Sequence, residues 1–158
     1  MCIRDSTQSV FNERLELAKD FWKAVIKIPG FGDKKAKHLT VAAQPVVLKA
    51  LAKLVFDFSE FGRSSDPKAL ALLLKSIPSG IDFTHNNPVW RYYEMSETER
   101  QAHGLVDLAN YLPTSGGNRD VGGFENGEMR FGAKHNDIFP LVGDMIRWRL
   151  GLPNRHSA

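Results

Sequence analysis

Apolar residues recur every three or four positions along much of the chain, which is the spacing of helices that bury one face. The first such stretch runs from Gln8 to Ile28 and ends at Pro29 and Gly30, which do not continue a helix. Its apolar stripe, which we expect to face the core, consists of Phe11, Leu15, Ala18, Trp22 and Val25. The pattern therefore predicts a long amphipathic helix at the start of the chain.

Two more helices are predicted before residue 80. One spans about 42–61, with Pro45 in its first turn, where a missing N–H costs little. The other begins at Pro67 behind Asp66, whose carboxylate suits the N-cap position. The residues expected to face the core are Val47, Leu48, Leu51, Leu54, Val55 and Phe58 in the first, and Leu70, Leu73, Leu74 and Ile77 in the second.

The second half of the chain is predicted to mix helices with a small β element. Ser96 and Glu99 match a capping box that opens a helix, expected over about 97–111. The stretch FENGEMRF predicts a hairpin around Asn126-Gly127, a strong signal for a type I′ turn. A last helix is expected over about 137–150, followed by Gly151 as its stop.

Between these elements, residues 112–123 carry the Gly-rich stretch PTSGGNRDVGG. Two interpretations stay open: a flexible loop, or a segment that orders on a phosphate through Arg119. With this loop, the elements predict a mainly α domain with a small β-hairpin (α+β). We expect one multi-helix domain over residues 7–155.

Length and composition are those of a single globular domain, since the chain has 158 residues, of which 42% are hydrophobic and 25% charged. No apolar run approaches the ~20 residues that span a bilayer, and the start lacks a signal-peptide pattern. We therefore expect a cytoplasmic protein that does not enter a membrane. Cys2 is the only cysteine, which excludes an internal disulfide and a thiolate metal cluster.

The opening MCIRDS resembles translated adapter sequence at the start of a reading frame. We therefore treat residues 1–6 as a non-native leader and leave them out of the fold argument. On this interpretation the natural protein begins upstream, and the present chain is its C-terminal part.

The net charge of +3 is unevenly distributed along the chain. Residues 19–53 hold eight lysines and two aspartates, a net +6, whereas 54–128 hold eleven acids and six bases, a net −5. Residues 129–158 hold five bases and two acids, a net +3. These blocks are either solvated faces or a basic surface, built from both ends of the chain, for an anionic partner such as duplex DNA. The second interpretation assigns DNA contact to Lys19, Lys23, Lys34, Lys35, Lys37, Arg119, Arg147 and Arg149.

The stretch IDFTHNNPVWRYYEM, residues 81–95, concentrates polar and aromatic side chains. Its aromatic residues either stack on bases or pack in the core, and the second is the more common use of such residues. A metal-assisted site would combine Asp82 and His85 with His135 and Asp137, but no established metal-ligand spacing is present. Asn136 or Asp137 also suits the cap of the last helix. No metal site, cofactor or catalytic residue is predicted.

Several short motifs occur in the order FWKAVIKIPGF, VLKALAKL, IDFTHNNPVW, a hairpin, and a closing helix that ends in LGLP. This order resembles the C-terminal region of the DndB-like DGQHR-domain proteins over about residues 11–155. The matching residues are Ile81, Asp82, Asn87, Pro88 and Trp90, then Leu150, Gly151, Leu152 and Pro153. The DGQHR signature itself is absent and lies N-terminal in that family, so we expect it upstream. Residues 91–123 are an insertion relative to the family pattern.

The resemblance implies a role in bacterial DNA phosphorothioation and associated defence systems, in which DndB-type members bind DNA and regulate the modification genes. It also implies that residues 81–95 form a structural junction. In that junction we expect Trp90 to anchor the core, Asn87 and Pro88 to form the turn, and Asp82 to hold a backbone or arginine partner.

Three functions are therefore carried forward. The first is a DNA-binding regulatory or accessory protein, for which we predict no catalysis by this chain. The second is a metal-assisted nuclease fragment that uses Asp82, His85, His135 and Asp137. The third is a protein-interaction domain that docks on the upstream DGQHR domain or on an acidic partner, and that exposes an apolar patch when it is alone.

Overall fold

The computed structural model describes residues 3–112 and 121–155, with side chains from residue 8 onward. The helices are α1 (Ile3–Val25), α2 (Ala36–Leu39), α3 (Pro45–Phe58), α4 (Pro67–Ser79), α5 (Glu97–Ala102) and α6 (His135–Leu150), with 3₁₀ helices at Val41–Ala43, Pro88–Glu94 and Val106–Asn110. The strands β1 (Gly122–Glu125) and β2 (Glu128–Phe131) form one antiparallel pair. The predicted fold class, mainly α with a small β-hairpin, is confirmed.

Helix α3 occupies the centre of the fold, because it packs against both α4 and α6. Of the predicted core stripe, Val47, Leu51, Leu54, Val55 and Phe58 are buried, and Leu48 is half-buried against the core. The helix is shorter than the predicted 42–61, because Pro45 at its first position keeps Gln44 in an extended conformation. Residues Val41–Ala43 form a separate 3₁₀ turn instead.

Helix α4 begins as predicted. The Asp66 carboxylate accepts hydrogen bonds from the backbone N–H groups of Lys68 and Ala69, both at 3.2 Å, and Pro67 takes the first helical position. Leu73 and Ile77 are fully buried, while Leu70 and Leu74 are half-buried against the core. The cap and the apolar stripe together orient this helix against α3 and α1.

The first helix exists, but the prediction of its buried face was wrong. Of the five stripe residues, only Val25 is buried, and Phe11, Leu15, Ala18 and Trp22 are exposed. A second stripe with the same period, Phe21, Ala24, Val25 and Ile28, enters the core instead. Hydrophobic periodicity identifies apolar faces of a helix, but it does not show which face has a neighbour.

The helix predicted over 97–111 is broken into two shorter pieces. Ser96 accepts a hydrogen bond from the Glu99 N–H at 3.2 Å, so the predicted cap is present. Helix α5 then stops at Ala102, because Gly104 turns the chain with φ of +70°. The remainder continues as the 3₁₀ helix Val106–Asn110.

The hairpin forms where the sequence predicted it. Asn126 and Gly127 both have positive φ, 54° and 79°, as a type I′ turn requires. The register pairs Phe124 with Met129. Strand β1 begins at Gly122, inside the predicted loop 112–123, and residues 113–120 of that loop lie outside the described residues.

Helix α6 closes the fold and is buried over most of its length. Gly151 ends it with φ of +68°, as predicted, and the Tyr111 hydroxyl donates to the Leu152 carbonyl at 2.7 Å. One cluster of buried side chains extends from Phe21 to Leu152, which agrees with a single domain. Within the described ranges, no helix is both long and apolar enough to cross a membrane.

Gly62 provides a test of the turn that joins α3 to α4. The turn folds back over the end of α3, and a Cβ at Gly62 would collide with the backbone of Phe56 and Asp57. We expect Gly62→Ala to lower the free energy of unfolding by about 1–3 kcal/mol, because the backbone must shift. Gly32→Ala is the matched control, since a Cβ there meets no atom within 4 Å. Equal denaturant midpoints for the two variants would contradict the packing of this turn.

Candidate nucleic-acid interface

Trp90 anchors the stretch 81–95 in the core, as the junction interpretation predicts. The side chain is 2% exposed. Its ring stacks on Phe83, with centroids 6.1 Å apart and an interplanar angle of 10°, and meets the edge of Phe131 in β2 at 6.5 Å. These aromatic contacts join the helical core to the hairpin.

The polar residues of the stretch form the turn that places Trp90. The Asp82 carboxylate accepts from the backbone N–H of Thr84 at 2.9 Å and from its hydroxyl at 2.7 Å. The Asn87 side chain donates to the Asp82 carbonyl at 2.8 Å and accepts from the Val89 N–H at 3.2 Å, just before Pro88 begins a 3₁₀ helix. Asp82, Asn87 and Pro88 therefore have the structural roles that the junction interpretation predicts.

Asp82 and Arg91 of this stretch both make contacts within the protein. The Asp82 oxygen Oδ1 is already occupied by Thr84, and the Arg91 guanidinium lies over the ring of Phe124, 4.1 Å from its centroid. A guanidinium stacked on an aromatic face is held by that contact. Arg91 thus binds the hairpin to the junction.

His85 links two backbone segments that are distant in sequence. Only 5% of the residue is exposed, its Nε2 lies 2.9 Å from the Lys37 carbonyl, and its Nδ1 lies 2.9 Å from the Met129 backbone nitrogen. A carbonyl can only accept and a backbone N–H can only donate, so Nε2 carries the proton and Nδ1 accepts. Because both ring nitrogens are occupied, His85 is unavailable as a metal ligand or general base.

The side chains of Gln44 and His85 form hydrogen bonds with backbone groups along the edge of β2 that has no neighbouring strand. Its side-chain amide donates to the Met129 carbonyl at 2.8 Å and accepts from the Phe131 N–H at 2.9 Å. The amide therefore replaces a neighbouring strand along β2. No sequence pattern predicts this role, since a lone glutamine before a proline is not a recognisable motif.

A third contact holds the hairpin tip close to the basic part of the chain. Glu128 is hydrogen-bonded to His38 and forms a salt bridge with Arg130 at 2.7 Å. The hydrogen bond from His38 lowers the pKa of the Glu128 carboxyl below its ordinary value. The Glu128 carboxylate thus binds Arg130 within the hairpin and His38 in the basic segment.

Residues 19–38, called here the basic segment, present lysines to solvent. The exposed lysines of the segment are Lys19, Lys23, Lys27, Lys34, Lys35 and Lys37. Lys19 and Lys23 are four residues apart on α1 and therefore share one face of the helix, and Lys27 follows in the turn after it. Among the described residues, only Lys19 of these six forms a salt bridge, with Glu16 at 3.4 Å. The other five ammonium groups face water.

The junction fixes the second half of the basic segment in place. His85 donates to the backbone carbonyl of Lys37, and the Val41 N–H donates to the Phe83 carbonyl at 2.8 Å. Asp33 accepts from the Lys35 N–H at 2.8 Å and orders the turn before α2. The backbone that carries Lys37 is therefore attached to the core.

The arginines predicted to extend the basic surface are not equivalent. Arg147 is 5% exposed, donates to the Pro153 carbonyl at 2.9 Å, and lies over the ring of Phe58. Its burial lowers the pKa of the guanidinium. The prediction that Arg147 contacts DNA was therefore wrong, because α6 is buried at this position. Arg149 is exposed, and Arg119 lies outside the described residues.

A cleft of about 490 Å³ between α3 and α6 contains the other prominent charge cluster. Its charges are largely neutralised internally, since Lys53 pairs with Asp57 at 3.1 Å and Arg155 pairs with the buried Asp144 at 2.6 Å. Of the remaining cations, Arg147 is held by the contacts above and Arg63 is exposed. The cleft therefore lacks the excess of unpaired positive charge that the basic segment has.

The residues of the nuclease alternative do not form a metal site. His135 and Asp137 lie in the first turn of α6. Within residues 3–112 and 121–155, no group of three or more His, Cys, Asp or Glu side chains could hold a metal ion. The predicted cap was also wrong, because the N-cap residue is Lys134 and Asn136 instead accepts from Lys49 at 2.7 Å.

An acidic groove of about 760 Å³ lies between the N-terminal half of α1 and the start of α4. Its carboxylates are Glu13, Glu16, Asp20 and Glu60, and its apolar floor includes Leu17, Phe58, Phe61 and Leu70. A hydrogen bond with Glu60 and repulsion from its charge raise the pKa of Glu13. This side of the molecule repels phosphate, so the groove is not a surface for an anionic ligand.

His85 is expected to be a structural residue. We expect His85→Ala to lower the free energy of unfolding by about 1–3 kcal/mol, because the buried Met129 N–H loses its acceptor. Denaturant titration followed by circular dichroism measures this change. His103→Ala is the control, since His103 is exposed at the end of α5. If both variants were as stable as the parent, the His85 link would not support the hairpin.

The Glu13–Glu60 pair predicts a pH-dependent stability. The pKa of Glu13 is raised, so the folded state binds the proton of this carboxyl more tightly than the unfolded state does. The free energy of unfolding therefore falls as the pH rises through the pKa that Glu13 has in the folded state. Glu13→Gln removes this loss, so it should raise the melting temperature at pH 7 but not below pH 4.5. Glu125→Gln, at an exposed hairpin position, is the control. The same melting-temperature difference at both pH values would contradict the pairing.

Comparisons of the chain with protein-family models, with curated proteins and with solved structures found no match. The resemblance to DGQHR-domain proteins therefore stays a prediction from the sequence.

Proposed function

We propose that this chain binds duplex DNA through the basic segment and acts as a regulatory or accessory protein of a DNA modification and defence system. One observation carries the proposal: five exposed lysines, Lys23, Lys27, Lys34, Lys35 and Lys37, lie close together in sequence without a salt-bridge partner among the described residues. Lysines arranged in this way neutralise backbone phosphates and release condensed counterions.

The arrangement suits phosphate contact better than base recognition. Ammonium groups on flexible stems position a protein on the duplex, whereas base-edge contacts specify its sequence. The Lys37 carbonyl bound by His85 fixes where the lysines after α1 project. On the sequence resemblance, an upstream DGQHR domain belongs to the same protein, and this chain contributes the phosphate contacts.

The salt dependence of binding tests the proposal. Five phosphate contacts give a slope of log K against log salt of about −4.5, which is roughly a 500-fold loss of affinity between 50 and 200 mM salt. Fluorescence anisotropy with a labelled duplex measures both values. Lys34→Ala/Lys35→Ala should weaken binding and make the slope less steep by about 1.8.

Lys68→Ala/Lys75→Ala is the matched control, because it also removes two exposed lysines but from α4. It should leave affinity and slope almost unchanged. Absence of binding at 50 mM salt, or equal effects of the two double variants, would exclude the basic segment as the DNA contact. Duplexes with and without phosphorothioate links then show whether the modification itself is recognised, which the defence role predicts.

A further inference from the structure

One face of α1 is apolar and has no neighbour within the described part of the chain. Its large side chains are strongly exposed: Phe11 60%, Leu15 42%, Trp22 50% and Ile26 61%. With Ala18, also exposed, they follow one another at three- and four-residue steps and form a continuous stripe along the helix. Exposed apolar surface that is contiguous in this way is typical of an interaction site.

The stripe is separate from the face by which α1 enters the core. Phe21, Ala24, Val25 and Ile28 occupy that second face and are buried. Before Phe21, every residue from Gln8 onward is exposed except the half-buried Leu17. The C-terminal part of α1 is therefore anchored in the core, whereas the N-terminal part is held by more peripheral contacts: the half-buried Leu17, Arg14 over the ring of Phe61 at 5.0 Å, and Glu13 with Glu60.

The order of residues in the stripe is nearly symmetric. A two-fold axis that passes between Ala18 and Lys19 places Phe11 opposite Ile26 of a second copy, and Leu15 opposite its Trp22. Ala18 lies at the crossing point, where a small side chain lets two helices approach closely. Two copies in this antiparallel arrangement cover each other's stripe with self-complementary surfaces, as an isologous interface requires.

Charges beside the stripe favour the same arrangement. One flank of the stripe carries Glu16, Lys19 and Lys23. In an antiparallel pair of helices this flank faces the same flank of the other copy, which does not happen in a parallel pair. Glu16 of each copy then lies close to Lys19 and Lys23 of the other. Within one chain and among the residues that the structure describes, Glu16 forms its salt bridge with Lys19, at 3.4 Å.

We propose that the chain forms an antiparallel two-fold dimer through the exposed stripe of α1. Each loosely held N-terminal half packs on the anchored C-terminal half of the second copy, so dimerisation adds contacts to the part of α1 that the monomer holds only peripherally. The interface is smaller than the ~800 Å² per partner of a standard complex, so the dimer is weak and depends on concentration. This inference does not depend on DNA binding, and its tests contain no DNA.

Sedimentation equilibrium over a hundredfold range of micromolar concentrations tests for the dimer. The mass should rise from 17.7 kDa toward twice that value. Leu15→Asp should remain monomeric, because it places a charge inside the stripe. Val106→Asp is the control, since Val106 is 56% exposed away from α1 and should not affect association. A parent chain that stays monomeric throughout, or two variants that associate equally, would overturn the proposal.

Charge reversal distinguishes specific pairing of charges across the dimer from non-specific association of apolar surfaces. Glu16→Lys should weaken the dimer by bringing three positive groups together. Adding Lys19→Glu and Lys23→Glu to that variant should restore it, because the cross-pairs are then re-formed with opposite signs. If the triple variant were as weak as Glu16→Lys alone, the antiparallel charge pairing would be wrong.

Disulfide trapping tests the direction of the helices. In a Cys2→Ser background, Ala18→Cys should cross-link to its own copy, because the two-fold axis passes beside it. Phe11→Cys should not, since the two copies of residue 11 are roughly 22 Å apart along the helix axis. Efficient cross-linking at residue 11, or none at residue 18, would contradict the antiparallel arrangement.

Discussion

The two hydrogen bonds of His85 hold together segments of the fold that are far apart in sequence. They connect the Lys37 carbonyl, in the basic segment, to the Met129 N–H, in the hairpin, across a core closed by Trp90. One imidazole thus satisfies the buried Met129 N–H and the backbone carbonyl of the exposed Lys37, so its loss leaves a buried donor without its acceptor. The hairpin, the junction and the backbone under Lys37 are therefore held in one arrangement.

Local signals along the chain were sufficient to predict most elements. Asp66 and Pro67 start α4, Ser96 caps α5, and Asn126-Gly127 turns the hairpin. In each case the information lies in side chains next to the backbone groups that they satisfy, so no knowledge of the remaining fold is needed. The junction roles of Asn87 and Trp90 followed from the resemblance and agree with the observed contacts.

The predictions that were wrong depended on contacts between distant segments. Two apolar stripes on α1 have the same period, and only the position of α4 decides that Phe21, rather than Trp22, is buried. Arg147 has the sequence position of a solvent-facing cation near a helix end, yet Phe58 and Pro153 enclose it. Gln44 and His85 contact β2 across more than forty residues, a relation that no local spacing can indicate.

Lysine acetylation footprinting is the most direct test of the central claim, that the basic segment is the surface that meets DNA. The parent chain is labelled at low salt with and without an unlabelled duplex, and modification is read at each lysine by mass spectrometry. We expect the duplex to slow acetylation several-fold at Lys23, Lys27, Lys34, Lys35 and Lys37, but not at Lys68 or Lys75. Equal protection on α4, or no protection in the basic segment, would contradict the account.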